Sequence, residues 1–374
     1  MKTRSKKLIH FIKADAVLFI SAALALLSTV FVTPTMSYLS YIDFRVLSLL
    51  FSLMAALAGL NKTGVFIQLS KKILSKITDL RSLSFILILL CFFTSMWITN
   101  DVALITFIPF TIMLLELTRQ TKHMIYIIVM QTIAANLGSM LTPVGNPQNL
   151  YLYSYFNIPL TEFMVTVIPY TVVSFVLIGL SVMFIKKEAL TFVLPETDDI
   201  SNNSRGIAIY TFLFVVCLMS VFRFIDYPVA LFIVLLCTLV YDRKVLLKVD
   251  YGLLLTFVSF FIFIGNLGNI SVVNNFIAGI LVGRELMVST LLSQVISNVP
   301  AAVLLSAFTS NYKSLLIGTN LGGLGTLIAS LASLISYKFY CKTDNASPLK
   351  YLAIFTFYNF LFLFILFSLS LFIR

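Results

Sequence analysis

Twice in this chain an apolar run stops at an asparagine and a second apolar run begins at once. The first case is WITNDVALITFIPF (97–110), with Asn100 at the junction, and the second is ISNVPAAVLLSAF (296–308), with Asn298. Sixty per cent of the 374 residues are hydrophobic and 11 % are charged, against about 45–50 % and about 25 % in soluble chains. The medium around these runs is therefore lipid. A backbone amide or carbonyl released from a helix in lipid finds no water, so a break survives only where it is packed in protein or faces a wet cavity. Two breaks in corresponding halves of a chain mark a binding site.

The remaining apolar runs supply the scaffold. Residues 14–32, 44–60, 163–185, 206–221, 227–240, 249–268 and 349–373 approach the length of about 20 residues that crosses a bilayer core. Residues 62–76 alternate apolar and basic side chains at helical spacing, which suits a helix lying in the interface with snorkelling lysines. In 135–149 two glycines, two prolines and three asparagines interrupt a further helix, because neither residue type sustains helical backbone there. The stretch 319–333 does the same in the second half.

The fold expected is an all-α polytopic membrane protein of two inverted repeats. It has about nine transmembrane helices, two re-entrant hairpins and two unwound helices. The first repeat covers 1–187, with its hairpin at 81–118 and its unwound helix at 123–156. A cytoplasmic linker, 188–204, precedes the second repeat, 205–374, with hairpin 284–310 and unwound helix 313–340. Across the repeats Asp43 aligns with Asp250, Asn100 with Asn298 and Asn136 with Asn320. With the N-terminus cytoplasmic and the C-terminus outside, only Arg45, Arg223, Arg284, Lys313 and Arg374 of the 26 Lys and Arg fall outside. That asymmetry follows the positive-inside rule and explains the net charge of +11 without nucleic acid.

A hairpin tip inside the membrane points the amide end of its second arm, carrying about half a positive charge, at whatever lies beyond. Anions are favoured there, while unwound carbonyls and side-chain amides hold a cation. The candidate substrate and ion ligands are Thr99, Asn100, Asp101, Asn136, Gly138, Thr142, Gly145 and Asn146 in the first half. Ser297, Asn298, Asn320, Gly322, Gly323 and Thr326 are their counterparts in the second. Asp101 is the one carboxylate expected at depth, where a charged Asp costs roughly 2.5–3.5 kcal/mol and is usually functional. Its bland role is an N-cap; for the glycines it is close helix packing. Cys91, Cys217, Cys237 and Cys341 have no metal-ligand or CxxC spacing, so neither a metal centre nor a disulfide is expected.

The segments IDFRVLSLLFSLMAALAGLNKTG (42–64), TNDVALITFIPF (99–110), NLGSMLTPVGNPQN (136–149), SNVPAAVLL (297–305) and NLGGLGTLIAS (320–330) resemble the repeated signatures of the ion-transporter superfamily. The branch is that of arsenite and anion permeases, citrate-transporter-like permeases and sodium/proton antiporters. The resemblance covers nearly the whole chain. It implies a homodimer, a scaffold of the spans before each hairpin, a mobile domain of hairpins and unwound helices, and elevator-type alternating access. Dicarboxylate members of the family carry a Ser-Asn-Thr tip in each hairpin; the tips here keep the central asparagine and depart after it.

The function expected is a secondary transporter in the cell membrane that moves a small inorganic or organic anion. A proton or sodium ion is the coupling partner, with a sodium site near Asn100, Asp101 and Asn146, and no other cofactor. The alternatives are a sodium/proton antiporter exchanging at Asp101 and an intramembrane enzyme. The enzyme is disfavoured because no His, Cys or second carboxylate is expected beside Asp101, whereas acid-base chemistry needs paired groups.

Overall fold

A computed structural model describes residues 16–36, 38–74, 77–190, 204–344 and 346–373. The basic N-terminal segment and most of the linker, 191–203, lie outside the described residues. Among the described residues there are eighteen α-helices and no strand. The first four are α1 (Ala16–Ser28), the short α2 (Tyr38–Tyr41), α3 (Phe44–Lys62) and α4 (Val65–Leu74). They are followed by α5 (Leu80–Ile98), α6 (Asn100–Leu117), α7 (Met124–Gly138), α8 (Pro147–Tyr155) and α9 (Leu160–Val182). Then come α10 (Ser204–Val221), α11 (Tyr227–Asp242), α12 (Tyr251–Gly268), α13 (Ser271–Leu281), α14 (Glu285–Ile296), α15 (Asn298–Ser306), α16 (Tyr312–Leu321), α17 (Leu331–Tyr340) and α18 (Pro348–Phe372).

Among the described residues eight helices, or nine if the bent pair α13 and α14 counts as one, are long and apolar enough to cross a membrane. This is the polytopic all-α class expected from composition, with a different distribution of lengths. The arms α5 and α6 have 19 and 18 residues, about 28 and 27 Å at 1.5 Å per residue, close to the core thickness of about 30 Å, so length allows each to be a full span or one arm of a hairpin. The arms α14 and α15 have 12 and nine residues, about 18 and 14 Å. Their length confines the second hairpin to part of the membrane, whereas the length of the first fits either arrangement.

Helix starts follow from side-chain chemistry. Asp43 and Asp250 cap α3 and α12 in the same way, each accepting from the backbone amide three residues on, Val46 N and Leu253 N, at 2.9 Å. Asp79 caps α5 by accepting from Ser82 N at 3.0 Å. Such a cap satisfies one of the amides that a helix start leaves unpaired. The start of the linker docks against the α5 entry: Leu80 N donates to Glu188 O at 2.9 Å and Leu190 N to Thr78 O at 2.7 Å. Lys122 and Gln120 bond the Glu188 carboxylate and hold it below the usual carboxylate range.

Packing divides the helices into two groups. One gathers α10, α11 and α12 about α3, with α1 against α12; the other gathers α5, α6, α9, α17 and α18 about α7. The centre of the second group is α7, whose side chains are buried from Met124 to Gly138 except Tyr126. Where the groups meet, α8 packs on α3 and α15 on α12. A helix buried all round reads as continuously apolar, as MIYIIVMQTIAANLG does.

Both breaks are shorter than the sequence suggests. The helix α7 runs through Asn136 to Gly138, and the backbone leaves the α-helix only from Ser139 to Asn146, in two 3-10 turns at Ser139–Leu141 and Pro143–Gly145. Pro143 and Pro147 enforce the departure, since neither has an amide to continue the ladder. In the second half α16 likewise runs through Asn320 to Leu321, and the break spans 322–330.

Candidate functional site

Each hairpin turns on one residue. Thr99 (φ 67°, ψ 149°) and Ser297 (φ 77°, ψ 154°) adopt the same left-handed, extended conformation. A side chain pays on the order of 1–3 kcal/mol to hold such backbone, and such strain clusters at functional sites. The turns are fastened to the breaks by matching bonds. Thr142 donates its hydroxyl to Met96 O, and Thr326 donates to Gln294 O at 2.9 Å. Met96 and Gln294 each lie three residues before their tip. Two of the three threonines expected as ligands, Thr142 and Thr326, thus spend their hydroxyl protons as brackets between break and hairpin.

The asparagines meet. Asn100 Nδ2 donates to Asn136 Oδ1 at 3.0 Å, and Asn136 Nδ2 donates to Gly323 O at 3.4 Å. Ser330 Oγ donates to the same Asn136 Oδ1 at 3.1 Å. Asn298 N donates to Ala329 O at 2.9 Å, and Ser297 Oγ to Ala329 O at 3.3 Å. Asn320 Nδ2 donates to Asn149 Oδ1 at 2.7 Å. Asn100, Asn136, Asn298 and Asn320 are all buried, and this seam of amides joins residues from both halves of the chain. Buried polar groups on such terms are costly to leave half-satisfied.

The glycines serve approach. A Cβ on Gly138 would sit 2.0 Å from Phe92 O, on Gly145 2.8 Å from Ser95 O, and on Gly322 2.6 Å from Ser293 Oγ. These three let the breaks lie against the first arms of their hairpins. Gly323 lies against Asn298, whose Nδ2 would be 2.9 Å from an added Cβ, and lends its carbonyl to Asn136. Gly138→Ala is therefore expected to lower the melting temperature of the detergent-solubilised protein by several degrees, as an overpacking cost of about 1–3 kcal/mol requires. An unchanged melting temperature would show that the α5 backbone yields.

Beside the seam lies a cavity of about 500 Å³, within the range of roughly 300–1,000 Å³ typical of small-ligand sites. Of the expected ligands, Thr99, Asp101 and Asn146 line it. Its walls are apolar, with Leu53, Met54, Leu57, Val102 and Leu331 among them, and its charged lining adds Lys62, Lys248, Asp250 and Lys338. Asp101 Oδ1 is buried with no hydrogen-bond partner among the described residues. The first amides of α6 are already engaged: Asp101 N donates to Asn100 Oδ1 at 2.9 Å, and Val102 N to Thr99 Oγ1 at 3.5 Å. No group of three metal-ligating side chains occurs among the described residues.

Sequence reasoning missed Asn149, Gln294, Ser330, Asn61 and Asp250. Asn149 also donates to Ser139 O at 3.2 Å. Gln294 bonds Gly322 O and Leu324 O at 3.0 and 2.9 Å. Asn61 lines the cavity and accepts from Thr106 Oγ1 at 3.0 Å. The available signal was an amide or acid in, or next to, an apolar run. The lone Trp97 is 49 % exposed and is not among the residues lining the cavity.

A family model described as citrate transporter matches residues 7–313. An uncharacterized transporter of Methanocaldococcus jannaschii is 35 % identical over 324 residues, which cover 86 % of this chain and 88 % of that protein. An inner membrane protein of Escherichia coli is 28 % identical over 315 residues, 81 % of each. The P protein of Mus musculus is 30 % identical over 136 residues, 36 % of this chain and 16 % of that protein.

Proposed function

The chain belongs to the citrate transporter family, and from that membership we propose that it is a secondary active transporter for a small anion, coupled to a proton or sodium gradient. The observation that carries this reading is the amide seam, which ties the first hairpin tip and the end of α7 to the second break beside a cavity lined by Asp101. The unwound carbonyls at Asn146 and the tip residues Thr99, Asn100 and Asp101 are the proposed cation ligands. The rim lysines and the Asn146, Ser297 and Asn298 region are proposed to receive the anion, inorganic or organic.

Elevator-type movement fits the two helix groups. Few polar ties cross between them among the described residues: Thr106 to Asn61, and the Arg223 guanidinium on Tyr153 O, Ile158 O and Asn157 O at 3.3, 3.1 and 3.4 Å. The contact is otherwise apolar and non-directional, which permits sliding. Inverted repeats are supported by the matching tips, brackets and caps, and by the C-terminal end of α3 and the N-terminal end of its counterpart α12 sharing one cavity. The homodimer is proposed on the family resemblance. The orientation is proposed on charge: Lys62, Lys248 and Lys338 all belong to the cation-rich side, so the cavity opens to the cytoplasm. Cysteine at Thr99, in a background lacking the four native cysteines, should be labelled by an impermeant reagent from the cytoplasmic face only. Labelling from outside alone would reverse this orientation.

A sodium/proton antiporter is the second reading, favoured by one observation. The positive end of α6 is already capped by Thr99 and Asn100 and compensated by Asp101, leaving less of it for an anion. Proteoliposomes with imposed proton and sodium gradients separate the two readings. Accumulation of labelled citrate, or of a competing carboxylate or oxyanion, supports the first; sodium-driven proton flux with no anion present supports the second.

A further inference from the structure

The cavity contains a second carboxylate that an anion-attracting rim does not need. Asp250 stands at the start of α12, is exposed, and shares the cavity lining with Asp101 and the lysines Lys62, Lys248 and Lys338. Its Oδ1 accepts from Leu253 N, yet a cap asks for no charge, since Asn and Ser cap as well as Asp. The charges facing it come from three elements: Lys62 on α3, Lys338 on α17, and Lys248 on the 3-10 turn Arg243–Lys248. Lys62 is already paired with Asp242, while Lys248 and Lys338 make no ion pair among the described residues. The mouth thus offers two stations of opposite sign.

Asp43 repeats the cap, though not the cavity, at the start of α3. It caps α3 with the same geometry, φ −81° and ψ 90° against −78° and 85° for Asp250. It lies at the opposite end of that helix from Asn61 and Lys62, about 28 Å away at 1.5 Å per residue. If the site alternates between faces, each face has one capping aspartate at its entrance.

We propose that Asp250 is the entry carboxylate for the coupling cation on the face where the cavity opens, and that Asp43 holds the same position on the other face. This rests on Asp101 being the coupling site. A carboxylate at the mouth of a low-dielectric cleft concentrates small cations and hands them inward to Asp101, while Lys248 and Lys338 draw the anion.

The test reads occupancy of Asp101 without needing to know the anion. Vesicles of known orientation are treated at the cavity face with a water-soluble carbodiimide, and modification of Asp101 is followed by peptide mass spectrometry. One arm varies sodium at fixed pH and the other varies pH without sodium. Sodium binding appears as protection, and proton binding as a midpoint in the pH dependence of modification. Asp250→Asn, which keeps the cap, is expected to raise the half-saturating cation concentration at least about fivefold at the cavity face, and Asp43→Asn to leave it within about twofold there. Equal values in Asp250→Asn and the parent would overturn the proposal while leaving coupling at Asp101 intact. No cation dependence in the parent would instead overturn the coupling reading, and the entry role with it.

Discussion

Alanine at Asn136 is expected to lower transport by about one to two orders of magnitude while leaving a folded, membrane-inserted protein. The side chain accepts from Asn100 and Ser330 and donates to Gly323 O, so its removal strands three polar partners at once. Each stranded group costs on the order of 1–3 kcal/mol, and each 1.4 kcal/mol is a factor of ten. The loss falls mainly on the closed seam, because α7 keeps its apolar contacts with α5, α6 and α17. Initial rates in proteoliposomes, with gel filtration and melting temperature as controls on folding, decide it. Parental rates in Asn136→Ala would remove the seam from the mechanism; aggregated protein would make the residue a packing element. Asn320→Ala, which strands Asn149 Oδ1, should repeat the effect from the second half of the chain.

How much of this was legible beforehand depends on range. The tips were visible because an asparagine between two apolar runs is a local contradiction, and the breaks were visible because proline cannot continue a helix. Which amide meets which was not visible. Asn100 and Asn136 are 36 positions apart, Asn136 and Gly323 are 187 apart, and no local pattern encodes such pairings. The glycines misled for a related reason. Gly138 is helical and serves the approach of α7 to α5, a property of two helices together that one sequence window cannot hold. Asp250 was noted only as a repeat of Asp43; its place in the cavity depends on the end of α3 and the start of α12 coming together there.

Asp101→Asn is expected to separate the two fluxes. The acid sits where the α6 amides begin, its Oδ1 has no partner among the described residues, and it lines the cavity beside the seam. An ionised carboxylate there would repel an incoming anion with an energy that rises as the local dielectric falls, so the proposed anion transport requires a proton or cation on Asp101 as a condition of loading. Asparagine copies the neutral shape and keeps the capping capacity. The variant should bind and exchange substrate but fail to concentrate it, with a gradient-driven accumulation ratio falling from well above one to about one.

The most direct measurement is therefore gradient-driven accumulation and exchange of labelled substrate, compared for the parent and Asp101→Asn in the same proteoliposomes under imposed proton and sodium gradients. Retained exchange with lost accumulation, and a rate no longer dependent on pH or sodium, is the predicted result. Accumulation by Asp101→Asn with unchanged proton or sodium dependence would contradict it, leaving Asp101 as the cap of α6 and placing the coupling elsewhere.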